Sequence, residues 1–274
     1  MSIEFRAVGK QFQPGVDAVR DVSFVVPTGS LTVLVGSSGC GKTTLLRMVN
    51  RMVEPTFGDV LIDGVSVRER NPVELRRSIG YVMQSGGLLP HKKVIEAIQT
   101  VPRLIGTPRE LARTRAGELM DLVGLDHSLA ERYPAELSGG QQQRVGVARA
   151  LAADPAILLM DEPFGAVDPL VRADLQRELK SLQQRLGKTV LFVTHDIDEA
   201  LLLGDQVIIL QEGGTIAQKG TPADIMENPA SPFVEAFVGH HTRRVLTLRP
   251  DSTPPLVEDA SGRILGVLAE DSPS

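Results

Sequence analysis

Apolar and polar residues alternate over residues 3–8 and again over 19–26, the period-two pattern of half-buried strands. Gln13-Pro14-Gly15 lies between them as a turn, so the two segments read as an antiparallel pair. Residues 60–62 followed by Asp63-Gly64 give a further strand and turn, and 81–83 a short strand ending at Gln84. Other segments are mainly apolar without alternation: 31–35 and 157–160, with 189–193 a further strand. Short runs of this kind fit strands buried on both faces. Between them the period turns helical. Leu45, Met48, Val49 and Met52 recur at three and four, as do Val145, Ala148, Leu151 and Ala152, then Val171, Leu175, Leu179, Leu182 and Leu186. Asp168-Pro169 supplies an N-cap and a first-turn proline for the last of these, and Gly187 closes it. Residues 207–210 and 215–218 form a hairpin around Glu212-Gly213-Gly214. Strands alternating with helices predict a parallel sheet, with ligands gathered at the strand C-terminal ends. Gly36, Asp161 and His195 all follow predicted strands directly.

Residues 85–136 break this rhythm. They hold no convincing strand; 94–101, 109–123 and the stretch up to Tyr133 read as helices, interrupted at Pro90, Pro102, Pro108, Gly124 and Pro134. The expectation is a helical insertion, 85–136, within an α/β core formed by 1–84 and 137–241.

Composition narrows the function classes. The chain has 274 residues, room for one large domain or two, and a net charge of −5. That charge argues against nucleic acid as a partner, which requires a basic footprint. Cys40 is the sole cysteine, so no internal disulfide forms. Residues 1–8 show no apolar signal segment. No apolar run reaches the ~18 residues of a membrane span; the longest, around 201–210, is broken by Gly204-Asp205-Gln206. The expectation is a soluble chain whose membrane association comes through a partner.

Candidate chemistry centres on residues 36–43, Gly-Ser-Ser-Gly-Cys-Gly-Lys-Thr. They match G-x-x-x-x-G-K-[ST] between a predicted strand and a predicted helix. Gly36, Gly39 and Gly41 let the backbone curl close to an anion. The loop N–H groups of Ser37, Ser38 and Cys40, with the helix start at Lys42, Thr43 and Thr44, then face phosphate oxygens. Lys42 adds a point charge, and the Thr43 hydroxyl is placed to ligate Mg²⁺. Cys40, beside Lys42 at a helix N-terminus, reads as a reactive thiol that bound ATP would shield. Asp161 ends a strand where a carboxylate reaches a phosphate-bound Mg²⁺, and Glu162 is placed to activate a water. Ser138-Gly139-Gly140-Gln141 opens another helix and is a second anion site by geometry. Phe12 is either core packing or a flat face for a base.

With both constellations in place, the chain resembles the ABC-transporter ATPases over residues 3 to about 240. Leu137 to Gln141, 24 residues before Asp161, is similar to that family's signature segment. The resemblance implies an α/β fold, a P-loop NTPase (RecA-like) core with an antiparallel β subdomain and the inserted helical subdomain. It implies ATP hydrolysis with Mg²⁺ as cofactor. It also implies roles: Gln84 as the Q-loop residue touching Mg²⁺ and the membrane subunit, Asp168 as the D-loop aspartate, His195 as the switch histidine at the γ-phosphate, and Phe12 stacked on adenine. Two copies would pair head to tail on ATP binding, each ATP lying between one chain's phosphate loop and the other's signature.

Finer segments, residues 50–56, 87–91, 194–200, 220–222 and 232–239, resemble the ATPases of osmoprotectant importers for quaternary amines such as glycine betaine, choline and carnitine. That subgroup implies a peripheral location on the cytoplasmic face of the membrane, beneath two permease subunits and served indirectly by an extracytoplasmic substrate-binding protein. Lys92-Lys93-Val94 and Ala97 depart from the family pattern in the region that faces the permease. An amino-acid or other small-solute importer ATPase, or a soluble ABC protein acting on ribosomes or DNA, are the alternatives. Residues 242–274 read as a short tail: Arg243-Arg244 as solvated charge, then a hairpin over 256–268 turning at 259–262, either a remnant like the core of a CBS module or a disordered segment.

Overall fold

The structure is a computed structural model that describes residues 1–84, 87–165, 167–242, 247–249, 256–258 and 264–267. β1 (Ile3–Gln13) and β2 (Val16–Val26) form a hairpin; β3 (Leu31–Gly36) enters α1 (Lys42–Val49). After β4 (Phe57–Ile62) and β5 (Val65–Ser66), α2 (Pro72–Ser78) leads to β6 (Ile79–Val82). The insertion carries α3 (Val94–Ile98), α4 (Thr100–Leu104) and α5 (Arg109–Leu122). α6 (Gly139–Leu151) returns the chain to β7 (Ile157–Asp161), followed by α7 (Pro169–Leu186), β8 (Thr189–Thr194), α8 (Ile197–Leu203), β9 (Gln206–Gln211), β10 (Thr215–Gly220) and α9 (Pro222–Glu227).

Two sheets result. One is antiparallel, in the order β2-β1-β4-β5; the other has six strands, β10-β9-β3-β8-β7-β6. All neighbours in the second are parallel except β9 and β10, which form a hairpin. Every residue of β3, β7 and β8 is buried, as strands covered on both faces must be. The core of α1 (Leu45, Leu46, Met48, Val49) packs into one cluster with Phe5, Phe24 and Val60 from the antiparallel sheet and Leu34, Leu159 and Leu191 from the parallel one. The two sheets therefore share α1 as common filling.

Between β6 and β7 the described residues contain no strand. Two expectations there need correction. Pro102 does not interrupt a helix; it is the third residue of α4, where the N–H it lacks would have had no partner inside the helix. The stretch up to Tyr133 is not an α-helix but a single 3₁₀ turn, His127–Leu129, capped by the Asp126 carboxylate on Ser128 N at 2.7 Å.

The chain divides into two compact units, Met1–Ala230 and Ser231–Ser274. The boundary falls before residue 241, the end expected from the sequence, because α10 (Pro232–Thr242) starts afresh after Pro229: Ser231 accepts from Val234 N at 3.3 Å and Glu235 N at 2.9 Å. Within the second unit β11 (Thr247–Arg249), β12 (Leu256–Glu258) and β13 (Ile264–Val267) make an antiparallel sheet in that order. The β12–β13 pair is the hairpin read from the sequence; its turn at 259–262, and Arg243-Arg244, lie outside the described residues.

Packing separates two phenylalanines that the sequence leaves alike. Phe5 is 1% exposed and stacks on Phe24 at 4.3 Å between centroids, whereas Phe12 is 63% exposed. Phe5→Ala is expected to cost about 3–5 kcal/mol in urea denaturation. Phe12→Ala should change stability by no more than about 0.5 kcal/mol.

Candidate functional site

Four adjacent parallel strands, β3, β8, β7 and β6, end along one edge of the sheet and each delivers site residues there. β3 delivers residues 36–43. A Cβ at Gly36 would stand 2.2 Å from the Leu210 carbonyl oxygen, and one at Gly41 (φ 94°) 2.5 Å from that of Ala18. The loop is thus pinched between β9 and β2, and only glycine fits at either end. Ser37, Ser38 and Gly39 are exposed, and Thr43 and Thr44 half-buried. Lys42 is buried, and its Nζ donates back to the carbonyls of Gly36 (2.8 Å) and Ser37 (2.7 Å). The ammonium is thus held against the start of the loop by its carbonyls, a fixed positive charge beneath the exposed residues 37–39.

The second group forms around Asp161, the last residue of β7. Its Oδ1 accepts the Thr43 hydroxyl at 2.8 Å, across 118 residues of sequence. Oδ2 accepts the Tyr81 hydroxyl at 3.1 Å and lies 3.7 Å from the Arg47 guanidinium. Burial, and next the Asp161 charge, push the Tyr81 phenol up to about 12, so Tyr81 is a neutral donor. A buried carboxylate beside a hydroxyl is a pair of hard oxygen donors, which fits Mg²⁺ held mainly by phosphates and water.

Glu162 carries the third group. Its φ of 44° is left-handed, and its N–H still pairs with the Val193 carbonyl at 2.9 Å. That turn aims the side chain along the strand ends. Oε2 accepts from Gln84 Nε2 at 3.0 Å and lies 3.2 Å from His195 Nδ1. Gln84, Glu162 and His195, from the ends of β6, β7 and β8, therefore meet at one carboxylate oxygen.

Other candidates stay apart from these groups. The Ser138 hydroxyl accepts from Gln141 N at 3.3 Å, and Gln141 Oε1 from Ser138 N at 2.9 Å: the side chains of the signature-like segment close a capping box on α6, beside Gly139 and Gly140. Asp168, exposed, precedes α7, and its carbonyl accepts from Val171 and Arg172 N–H. Phe12 presents an open ring at the end of β1, with Lys10 Nζ 5.2 Å from its centroid, an arrangement suited to stacking. Cys40 contradicts its expected reactivity. The thiol is 1% exposed and belongs to the apolar cluster with Leu34 and Leu45, its sulfur 3.7 Å from Lys42 Nζ beneath the loop. Tyr81 and Arg47 were not anticipated, since nothing in their spacing ties them to Asp161.

A family profile described as "ABC transporter" matches residues 19–165. The glycine betaine/carnitine/choline transport ATP-binding protein OpuCA of Bacillus subtilis strain 168 is 49% identical over 249 residues, 91% of this chain and 65% of its own length. The glycine betaine uptake system ATP-binding protein YehX of Escherichia coli K12 is 49% identical over 90% of this chain and 80% of its own length. The chain thus spans just under two thirds of the first of these relatives. Among solved structures, the dimeric post-hydrolysis state of the ATP-binding cassette MJ0796 bound to ADP and Pi superposes with a TM-score of 0.71 at 34% identity, over 80% of this chain and 98% of that one.

The burial of Cys40 yields a direct test. Maleimide labelling of the native protein is expected to be slow, and equally slow with and without MgATP, because the thiol is reached only through local opening. Rapid labelling that MgATP suppresses would contradict the packing of this loop. Mass spectrometry over a time course reads the result without ambiguity, since the chain has one cysteine.

Proposed function

The chain belongs to the ABC transporter family, and on that premise we propose that it is the ATP-hydrolysing subunit of an importer for osmoprotectants of the quaternary-amine class. The observation that carries the ATPase reading is the convergence of the Lys42 loop, the Thr43–Asp161 pair and the Gln84–Glu162–His195 group on one sheet edge. The names of OpuCA and YehX, glycine betaine, carnitine and choline transport, support the solute class.

In this reading the loop N–H groups and Lys42 bind the phosphates, with Thr44 continuing the helix start. Thr43, Asp161 and Gln84 hold Mg²⁺, which when bound supplies charge neutralisation to the phosphoryl oxygens. Glu162 accepts a proton from the attacking water; Gln84 and His195, both on its Oε2, hold that carboxylate in place. Phe12 stacks on the base. Ser138, Gly139, Gly140, Gln141 and Asp168 face the nucleotide of a second copy, giving a head-to-tail homodimer; that the similar MJ0796 cassette is dimeric supports pairing. No helix among the described residues is long and apolar enough to cross a membrane. Attachment to the cytoplasmic face would come through two permease subunits, supplied by an extracytoplasmic binding protein.

Glu162→Gln keeps the shape but not the base. It is expected to bind MgATP normally and hydrolyse it about 10²–10⁴-fold more slowly, with the ATP-bound dimer accumulating in size-exclusion chromatography. Ordinary turnover would remove Glu162 from this role. Ser138→Arg places a long cation where the hydroxyl caps α6. It should abolish ATP-dependent pairing while calorimetry shows unchanged binding by the single chain. For the solute, the chain reconstituted with its permease in vesicles should drive MgATP-dependent uptake of labelled glycine betaine or choline; uptake of an amino acid alone would overturn the solute assignment.

A further inference from the structure

His195 has an exposed side chain (59%), yet its Nδ1 keeps to the Glu162 carboxylate. An exposed imidazole holds such a position only if its backbone is anchored from behind, and three neighbours do this. Asp196 caps α8, its Oδ1 accepting from Asp198 N (2.9 Å) and Glu199 N (3.3 Å). Glu199, the third residue of α8, turns inward and is 5% exposed. Its Oε2 accepts the Thr194 hydroxyl at 2.6 Å and its Oε1 the Gln176 amide at 2.9 Å. Thr194 Oγ1 in turn accepts Asp196 N at 3.0 Å. The residues on either side of His195 are thus bound to one another, and through Glu199 to Gln176 on α7, the helix that begins just past Asp168.

This carboxylate has no use for packing that an apolar residue would not serve better. Burying it raises its pKa, first through desolvation, opposed by the Thr194 and Gln176 hydrogen bonds. Desolvating a carboxylate is costly unless the hydrogen bonds it receives matter. Arg172, one turn before Gln176, adds a cation: together with Glu199, His195 and Glu162 it lines a cavity of about 40 Å³, large enough for a water.

We propose that Glu199 is a positioning residue for hydrolysis: by receiving Thr194 and Gln176 together it fixes the His195 loop to α7 and so sets His195 against Glu162. The inference rests on the reading that Glu162 and His195 serve ATP hydrolysis.

The full-length chain carrying Glu199→Ala, Glu199→Gln or Thr194→Val tests it, with kcat, KM, calorimetric ATP affinity and thermal midpoint all measured. Glu199→Ala and Thr194→Val are expected to lower kcat by up to about 10²-fold, the scale of a misplaced catalytic group. KM and ATP affinity should stay within about twofold. Glu199→Gln, which keeps one acceptor and gains a donor that a flipped Gln176 amide accepts, should recover most of the rate. In a His195→Ala background Glu199→Ala should add little further loss, since both act through the same side chain. Full kcat in both variants, losses that multiply with that of His195→Ala, or parallel loss of ATP affinity and thermal midpoint would each overturn the proposal. Where Glu199→Ala does not fold, near-isosteric Thr194→Val carries the test. If Glu162→Gln turns over normally, the parent reading fails; if it is inactive while Glu199→Ala and Thr194→Val are unaffected, only this inference falls.

Discussion

A carboxylate at the end of a fully buried strand has to be given partners, and Asp161 is such a group, 7% exposed at the edge of β7. Left alone it would cost several kcal/mol. Its partners come from two other elements: Thr43 and Arg47 from α1, Tyr81 from β6. Because β8 lies between β3 and β7 in the sheet, the Thr43–Asp161 bond reaches past a whole strand. It ties α1, and with it the loop that starts α1, to the strand end from which Glu162 follows one residue further on. The position of the loop, the direction of Lys42 and the reach of Glu162 all follow from satisfying this one side chain.

The next residue answers a different demand. Glu162 must leave the strand without following its predecessor inward, and a left-handed φ accomplishes that at a cost of roughly 1–2 kcal/mol. Its N–H keeps a sheet hydrogen bond to Val193, so the neighbouring strand bears the strain. Gly165 fits behind it: a Cβ there would lie 3.4 Å from the Glu162 carbonyl and 3.5 Å from Gln84 Nε2. Adjacent residues thus point one carboxylate at Thr43 and the other at Gln84 and His195, so that the proposed metal ligand and the proposed proton acceptor are separated by a single peptide unit.

Much of this was legible in the sequence, for reasons that can be named. Mainly apolar runs located β3, β7 and β8 because strands covered on both faces favour that composition, threonine being the polar exception in β3 and β8, and the glycine pattern located the loop because only glycine fits at 36 and 41. What could not be read was anything set by a third element. The role of Phe12 was open because exposure is decided by how far β1 runs past the body of the sheet. Pro102 looked like a break because the start of α4, not the proline, decides whether the missing N–H matters. Cys40 looked reactive because Lys42 and a helix N-terminus both favour a thiolate; here the loop turns the side chain into the cluster beneath α1, where it is 1% exposed. The pairing of Tyr81 with Asp161 depends on β6 lying next to β7, a fact of sheet order that no local pattern encodes.

The two glycine-rich helix starts, alike in sequence, are unlike in chemistry. The first encloses a buried lysine bonded to the Gly36 and Ser37 carbonyls and leaves residues 37–39 exposed. The second spends its serine and glutamine on each other: the capping box at Ser138 and Gln141 satisfies two N–H groups of the several a helix start leaves without intrahelical partners. The N–H groups of Gly139 and Gly140 take no part in that box, and no cation of the box stands beside them. Such a surface is too weak to hold a triphosphate by itself, since two neutral donors net about 1 kcal/mol each. It suits an anion already held by a stronger site. In the proposed dimer, where this helix start would face a nucleotide bound by the other copy, the strong and the weak surface would complement each other, and the capping box holds the weak one in shape.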